Sequence, residues 1–391
     1  MLSVTFAAVF GVLAGGQGCK NSGASSDPNG PIIVGAYLSL SGSDTTFGSD
    51  SREGIDLALD QVNAAGGIKG RPIKVIYEDD KSTTQEATNK VQQLIDRDHA
   101  VAILGEVASS RSIAGGIVCN KKKVPMVTPS STAVDVTVEK KENGQETVRE
   151  YVFRVCFTDD QQGQVAARFV KDTLKKTAVA ILYVAQDTYS SGLARSFRES
   201  FEKLGGKITI DKGYKKGEGN FTTYLNDVKA TNPEAIFVPV YYNDMVQIAK
   251  QAKDVGLSGS MFIGGDGWDS SNLLDGAGDL LEGAYFTNHY APDVPWKNAQ
   301  TFLGDYKKKY SRDPTSLAAQ GFDAAGLLFD AMKRAPEVTP EAIKVALAAT
   351  KDFAGATGSL TIDASHNTKK PIVVVQIKNK KFTFSTQLTS Q

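Results

Sequence analysis

From Pro31 onward the chain alternates short apolar runs with amphipathic stretches, a pattern that confines it to strand and helix units building mainly parallel sheets. The first series opens with the strand IIVGAYLSL and a helix over about residues 51–65, which sets Ile55, Leu59 and Val62 on one face. The strand PIKVIYEDD, a helix over 84–97, the buried strand AVAILG, a helix after Ser109 and the strand KVPMVT continue it. The charged segment 134–150 reads as an irregular surface excursion. A second series follows the strand YVFRVCF. Its helices cover about 160–175, 191–204, 221–230 and 244–255, between the strands TAVAILYV, KITIDKGY, EAIFVPVY and MFIGGD.

At 391 residues the chain is about twice an ordinary domain length, so two lobes with separate cores are expected. Helical patterns return at 296–310, 314–334 and 340–349, before the strands GSLTID, KPIVVVQI and KFTFST. A late helical block followed by late strands sends the chain back to the first lobe and then to the second. The expected division is 1–30 as signal peptide and flexible tether, 31–156 plus 289–357 as lobe 1, and 157–288 plus 358–391 as lobe 2. The fold class is α/β, two Rossmann-like lobes joined by a three-segment hinge.

The 44 basic and 44 acidic residues balance, and no basic stripe interleaved with aromatics tracks a phosphate backbone, so nucleic acid is not an expected partner. Residues 1–18, MLSVTFAAVFGVLAGGQG, are apolar and small and read as an export signal rather than a membrane span. The polar stretch KNSGASSDPNG behind Cys19 reads as a tether. Cys19 stands where a bacterial lipoprotein cysteine would, so either lipidation there or ordinary cleavage is expected, in a periplasmic or cell-envelope location. In an oxidising compartment Cys119 and Cys156 form either a disulfide or two buried, inert thiols.

In open parallel sheets the ligand crevice lies beyond the carboxyl ends of the strands. There, Glu106-Val107-Ala108-Ser109-Ser110 follows AVAILG and runs into a helix. Ser109 reads either as a helix cap or as part of an anion site at the positive end of the helix. Pro129-Ser130-Ser131-Thr132-Ala133 forms a second hydroxyl-rich loop. The second series supplies Asp187-Thr188-Tyr189, Tyr241-Tyr242 and Gly264-Gly265-Asp266-Gly267-Trp268 at its strand ends. The Asp266 carboxylate suits an ammonium group, or else belongs to an ordinary glycine-rich turn.

In these segments the sequence resembles the periplasmic binding proteins of branched-chain amino acid ABC importers, the leucine/isoleucine/valine-binding type with the type 1 periplasmic binding fold. The likeness runs through LSLSG, FGSDSREGIDLALDQVNAAGGIKG, ILGEVASS, VPMVTPSSTA, the turn Tyr189-Ser190-Ser191-Gly192-Leu193-Ala194 and VYYNDMVQIAKQA, with GGDGW a weaker match. It covers nearly everything after residue 31. The resemblance implies that Ser109, Ser110 and Thr132 bind a ligand carboxylate, and that the Ser130 carbonyl, Tyr189 and Asp266 face its ammonium. It implies a side-chain pocket of Phe47, Val107, Ala108, Tyr241, Trp268 and Ala318. Family members more often carry Glu at position 266 and an aromatic at 318. The implied function is an extracytoplasmic binding protein, acting as a monomer without cofactor or metal, that delivers a free amino acid to the permease of an ABC importer. The alternatives are another small polar solute, such as an amide, urea or an aromatic acid, or a sensory role in the same fold.

No catalytic machinery is expected: a G-x-S-x-G elbow, a P-loop, a G-x-G-x-x-G fingerprint, H-E-x-x-H and paired Cys-x-x-Cys are all missing from the sequence. His99, His289 and His366 occupy contexts that read as solvated.

Overall fold

The structure, a computed structural model, describes residue 1 and residues 30–141 and 143–390. The expected signal segment, tether and Cys19 lie outside them. Pro31–Gln391 forms one compact unit. Its first series runs β1 (Ile32–Leu38), α1 (Thr45–Ala64), β2 (Ile73–Asp79), α2 (Thr84–Asp96), β3 (Ala102–Leu104), α3 (Ser109–Lys122), β4 (Met126–Thr128), β5 (Val138–Lys140), β6 (Glu146–Val148) and β7 (Val152–Arg154). The second runs α4 (Asp159–Arg168), β8 (Ala178–Val184), α5 (Thr188–Lys203), β9 (Lys207–Tyr214), α6 (Thr222–Ala230), β10 (Ala235–Val238), α7 (Tyr242–Asp254), β11 (Phe262–Gly264), α8 (Ser271–Ala277) and β12 (Tyr285–Asn288). Last come α9 (Lys297–Tyr310), α10 (Ser316–Arg334), α11 (Pro340–Ala348), β13 (Phe353–Gly355), β14 (Gly358–Leu360), β15 (Ile372–Lys378) and β16 (Lys381–Leu388).

Two sheets organise these elements. One has the order β2-β1-β3-β4-β7 and is parallel throughout. The other has the order β16-β15-β12-β11-β10-β8-β9, with antiparallel pairing only at β15 and β16. The chain passes between sheets after β7, after β12 and again before β15, because α9 and α10 pack on α1 beside the first sheet. The architecture is the two-sheet α/β type 1 fold. The central strands are buried on both faces, as in Ala102–Leu104 and Ala235–Val238, which is why they read as unbroken apolar runs.

Some boundaries differ from the sequence expectation. Helix α1 starts at Thr45 rather than near residue 51, and its polar N-terminal half is stabilised by tertiary contacts. There, Asp50 meets the Arg312 guanidinium at 2.8 Å and accepts from the Thr315 hydroxyl at 2.9 Å. Segment 134–150 contains a short antiparallel hairpin, β5 with β6. Helix α4 ends at Arg168 and continues to Thr173 as a π-turn, and its start is a capping box of Thr158 and Gln161.

The two thiols are free, so the expected bridge is absent. Cys119 packs behind the first sheet with Tyr37, Val91, Met126 and Val152. Cys156 lies past β7 with its Sγ 3.3 Å from the Ser131 carbonyl oxygen, a different packing environment. Burial pushes the Cys156 thiol up to about 12, which leaves it an inert hydrophobe.

Candidate functional site

The loops that end β3 and β4 form one wall of a pocket. Gly105, at φ +121°, makes the turn out of β3, and any Cβ there would lie 2.1 Å from the Tyr37 carbonyl oxygen. Behind the turn, Glu106 is fully buried and pins both loops. Its Oε1 accepts from the Ser39 backbone N–H and hydroxyl at 3.1 and 2.9 Å, and its Oε2 from Ala108 N–H and Arg111 Nε at 2.7 and 2.8 Å. Its carbonyl accepts from the hydroxyls of Thr128 and Ser131 on the neighbouring loop. Arg111, also buried, reaches Asp44 at 2.7 Å, so one guanidinium is shared between Glu106 and a second buried carboxylate.

This frame presents Ser109 at the first position of α3, where the N-cap is Ala108 and no side chain caps the helix. The capping reading of Ser109 therefore fails. Its Oγ instead accepts from the Ala133 backbone N–H at 3.1 Å, tying the two loops together. The Ser130 hydroxyl donates to the Val107 carbonyl at 2.8 Å. The Thr132 hydroxyl is buried and makes no well-formed hydrogen bond within the protein, although the Asp159 carboxyl lies beside it. Ser109, Ser130, Thr132, Val107 and Phe47 line the pocket from this side, joined by Leu317 and Gln320 of α10.

The opposite wall comes from the second sheet: Tyr189 on α5, Tyr241 at the start of α7, and Asp266-Gly267 past β11. The Tyr189 and Tyr241 rings stack at 5.0 Å, and Phe47 meets Tyr241 edge-on at 5.6 Å. Asp266 Oδ1 accepts from the Tyr189 hydroxyl at 2.9 Å and Gln162 Nε2 at 3.0 Å, and Oδ2 lies 3.2 Å from His289 Nε2. The two walls meet so closely that the cavity between them measures about 10 Å³, about the room a single water needs.

The environment behind Asp266 is buried and titratable. His289 is fully buried, stacked on Phe157 at 3.6 Å, and not solvated as its sequence context suggested. Burial, with the nearby Lys370 charge, lowers its pKa to about 4 against the pull of Asp266. Burial likewise brings Lys370 down to about 8. Asp159 is pushed well above the carboxylate range by burial, the Asp266 charge adding to the shift. His366 is half-buried and stacks on Phe153 at 4.0 Å, whereas His99 is exposed.

The structure thus brings together Phe47, Val107, Ser109, Ser130, Thr132, Tyr189, Tyr241 and Asp266. It leaves four expected residues off the pocket wall. Trp268 is core, with its indole N–H on the Val238 carbonyl, and Ala318 is core because its carbonyl faces Gly54 where α1 and α10 meet. Ala108 gives its backbone N–H to Glu106, and Ser110 turns to the half-exposed side of α3. Leu317 and Gln320, which flank Ala318, line the pocket in its place. A glutamine within the otherwise apolar run 317–322 was the available signal for Gln320; Gln162 and His289 carried none, because their partner comes from a distant loop. Among the described residues, no group of three or more His, Cys, Asp or Glu side chains could hold a metal ion, and no helix is long and apolar enough to cross a membrane.

Several known proteins share this architecture. The leucine-binding protein LivK of Thermotoga maritima superposes with a TM-score of 0.85 at 32% identity, over 92% of this chain and 99% of that one. The branched-chain amino acid transporter substrate-binding protein LivJ of Streptococcus pneumoniae, solved with isoleucine, gives 0.83 at 31% identity over 92% and 99%. The leucine-, isoleucine-, valine-, threonine- and alanine-binding protein of Pseudomonas aeruginosa is 27% identical over 324 residues, 83% of each chain. With the family model for periplasmic binding proteins matching residues 31–381, this chain belongs to the periplasmic binding protein family.

Proposed function

We propose that this chain is an extracytoplasmic binding protein that captures a free amino acid, branched-chain or otherwise apolar, and presents it to the permease of an ABC importer. The observation that carries the reading is chemical polarity across one pocket. The free end of α3 and the hydroxyls of Ser109 and Thr132 suit a carboxylate, the oriented Asp266 suits an ammonium, and Phe47, Val107 and Leu317 suit an apolar side chain. A zwitterion bound there meets a complementary group at each end, already in position, so excluding water leaves little net charge stranded. The names of the leucine- and isoleucine-binding relatives support the same ligand class.

In this reading residues 31–156 plus 289–357 and residues 157–288 plus 358–391 are two lobes that close on the ligand, hinged where the chain passes between sheets. Ligand favours the closed form only through interactions that the open form does not make. A thermal-shift screen against the common amino acids, small amides, urea and aromatic acids tests the ligand. At about 100 times its dissociation constant a ligand adds about 2.7 kcal/mol of stability. L-leucine, L-isoleucine or L-valine should raise the melting temperature, and Asp266→Ala should abolish the rise. A protein unmoved by every amino acid ends the proposal.

A further inference from the structure

Gln320 is the polar side chain that α10 contributes to the pocket, one helical turn from Leu317. It is fully buried. Its Nε2 donates to the Pro129 carbonyl at 2.9 Å, which fixes the orientation of the amide, since a carbonyl accepts only from the nitrogen. Its Oε1 is left buried in the pocket wall without a hydrogen-bond partner. A buried acceptor of that kind is costly unless something in the pocket donates to it.

The inference rests on the amino acid reading above. A primary ammonium brings three N–H donors. Asp266 already receives Tyr189, Gln162 and His289, out of about four acceptor positions on a carboxylate, so it has about one left. The ammonium therefore needs acceptors beyond Asp266. Ser109 and Thr132 bring hydroxyl donors, which suit the carboxylate end. Among the side chains lining the pocket, Gln320 supplies an unused acceptor whose nitrogen is already anchored.

We propose that Gln320 is a specificity-determining residue whose amide oxygen accepts an N–H of the ligand's ammonium, so that the pocket selects primary α-amino acids over N-alkylated ones. Replacing one ammonium hydrogen by methyl removes a donor and leaves an acceptor in the wall unsatisfied. Gln320 is also tied to the hydroxyl-rich loop on its own wall of the pocket, because its anchor, Pro129, opens the loop that carries Ser130 and Thr132.

The test is calorimetric titration of L-leucine and N-methyl-L-leucine into the wild type, Gln320→Met and Gln320→Glu. The glutamate variant retains an acceptor at the same reach but not the N–H that anchors it on Pro129; the methionine variant retains volume with neither. The wild type should prefer L-leucine by at least tenfold, Gln320→Met should cut that ratio to within about threefold of unity, and Gln320→Glu should keep more of it than Gln320→Met does. Melting curves of the unliganded variants establish that each is folded. An unchanged ratio in Gln320→Met overturns the inference while leaving amino acid binding intact. A wild type that binds neither compound overturns it together with the proposed ligand class for branched-chain side chains.

Discussion

Asp266 holds Tyr189, Gln162 and His289 at once, so its carboxylate is oriented before any ligand arrives. The same arrangement makes the site sensitive to acid through His289. Its folded pKa, about 4, lies below the ordinary 6.5, so the unfolded chain binds the extra proton between those values. The stability this burial gives is present above pH 6.5 and is lost as pH falls towards 4, by about 3 kcal/mol. Melting curves from pH 7 to 4.5 should fall more steeply for the wild type than for His289→Gln, which carries no titrating group there. Parallel curves for the two proteins would mean that His289 does not drive the loss. At this scale the sequence was legible where a motif set the position. Ser109, Ser130 and Thr132 sit in hydroxyl-rich loops at strand ends, and all three line the pocket. It misled where a neighbour in the chain faces the other way, since on α10 the pocket takes Leu317 and Gln320 while Ala318 packs against α1.

The contact between α1 and α10 is the element on which that placement depends. Gly54 brings the two helices so close that a Cβ would lie 1.9 Å from the Ala318 carbonyl oxygen. Gly54→Ala should therefore push α10 outward, with a cost of about 1–3 kcal/mol for overpacking. Because α10 also carries Leu317 and Gln320, the same change should weaken amino acid binding several-fold, read by calorimetry beside chemical denaturation. A loss of stability with unchanged affinity would show that the pocket does not depend on the seating of α10. The periodicity of α10 was readable, but its partner was not: α1 and α10 are separated by most of the chain, and no local pattern encodes which helix a glycine faces. The early start of α1 has the same origin, because Arg312 and Thr315 hold Asp50, in its second turn, from the far side of the sequence.

Across the whole molecule, loops of the second sheet touch elements of the first outside the pocket. Asp269 Oδ2 accepts from the Ser316 backbone N–H at 2.7 Å, at the start of α10, and from Asn288 Nδ2 at 2.8 Å. Tyr242 donates to the Ser43 carbonyl at 2.9 Å, and the Thr46 and Ser270 hydroxyls meet at 3.0 Å. These hydrogen bonds are of the kind that closing two lobes adds, and ligand shifts the balance by what closure contributes. Small-angle scattering should register a smaller radius of gyration when L-leucine is added; identical profiles with saturating ligand would contradict hinge closure. By itself the sequence determined the α/β class, the return of the chain to the first sheet through α9 and α10, and the strand-end loops that carry hydroxyls and Asp266, because apolar periodicity and turn chemistry are local. Only the tertiary structure decided that Cys119 and Cys156 stay apart, that His289 is buried behind Asp266, and that Gln320 rather than Ala318 faces the pocket. Each of those outcomes depends on which surfaces meet across the fold, and burial and hydrogen-bond partners are properties of that meeting.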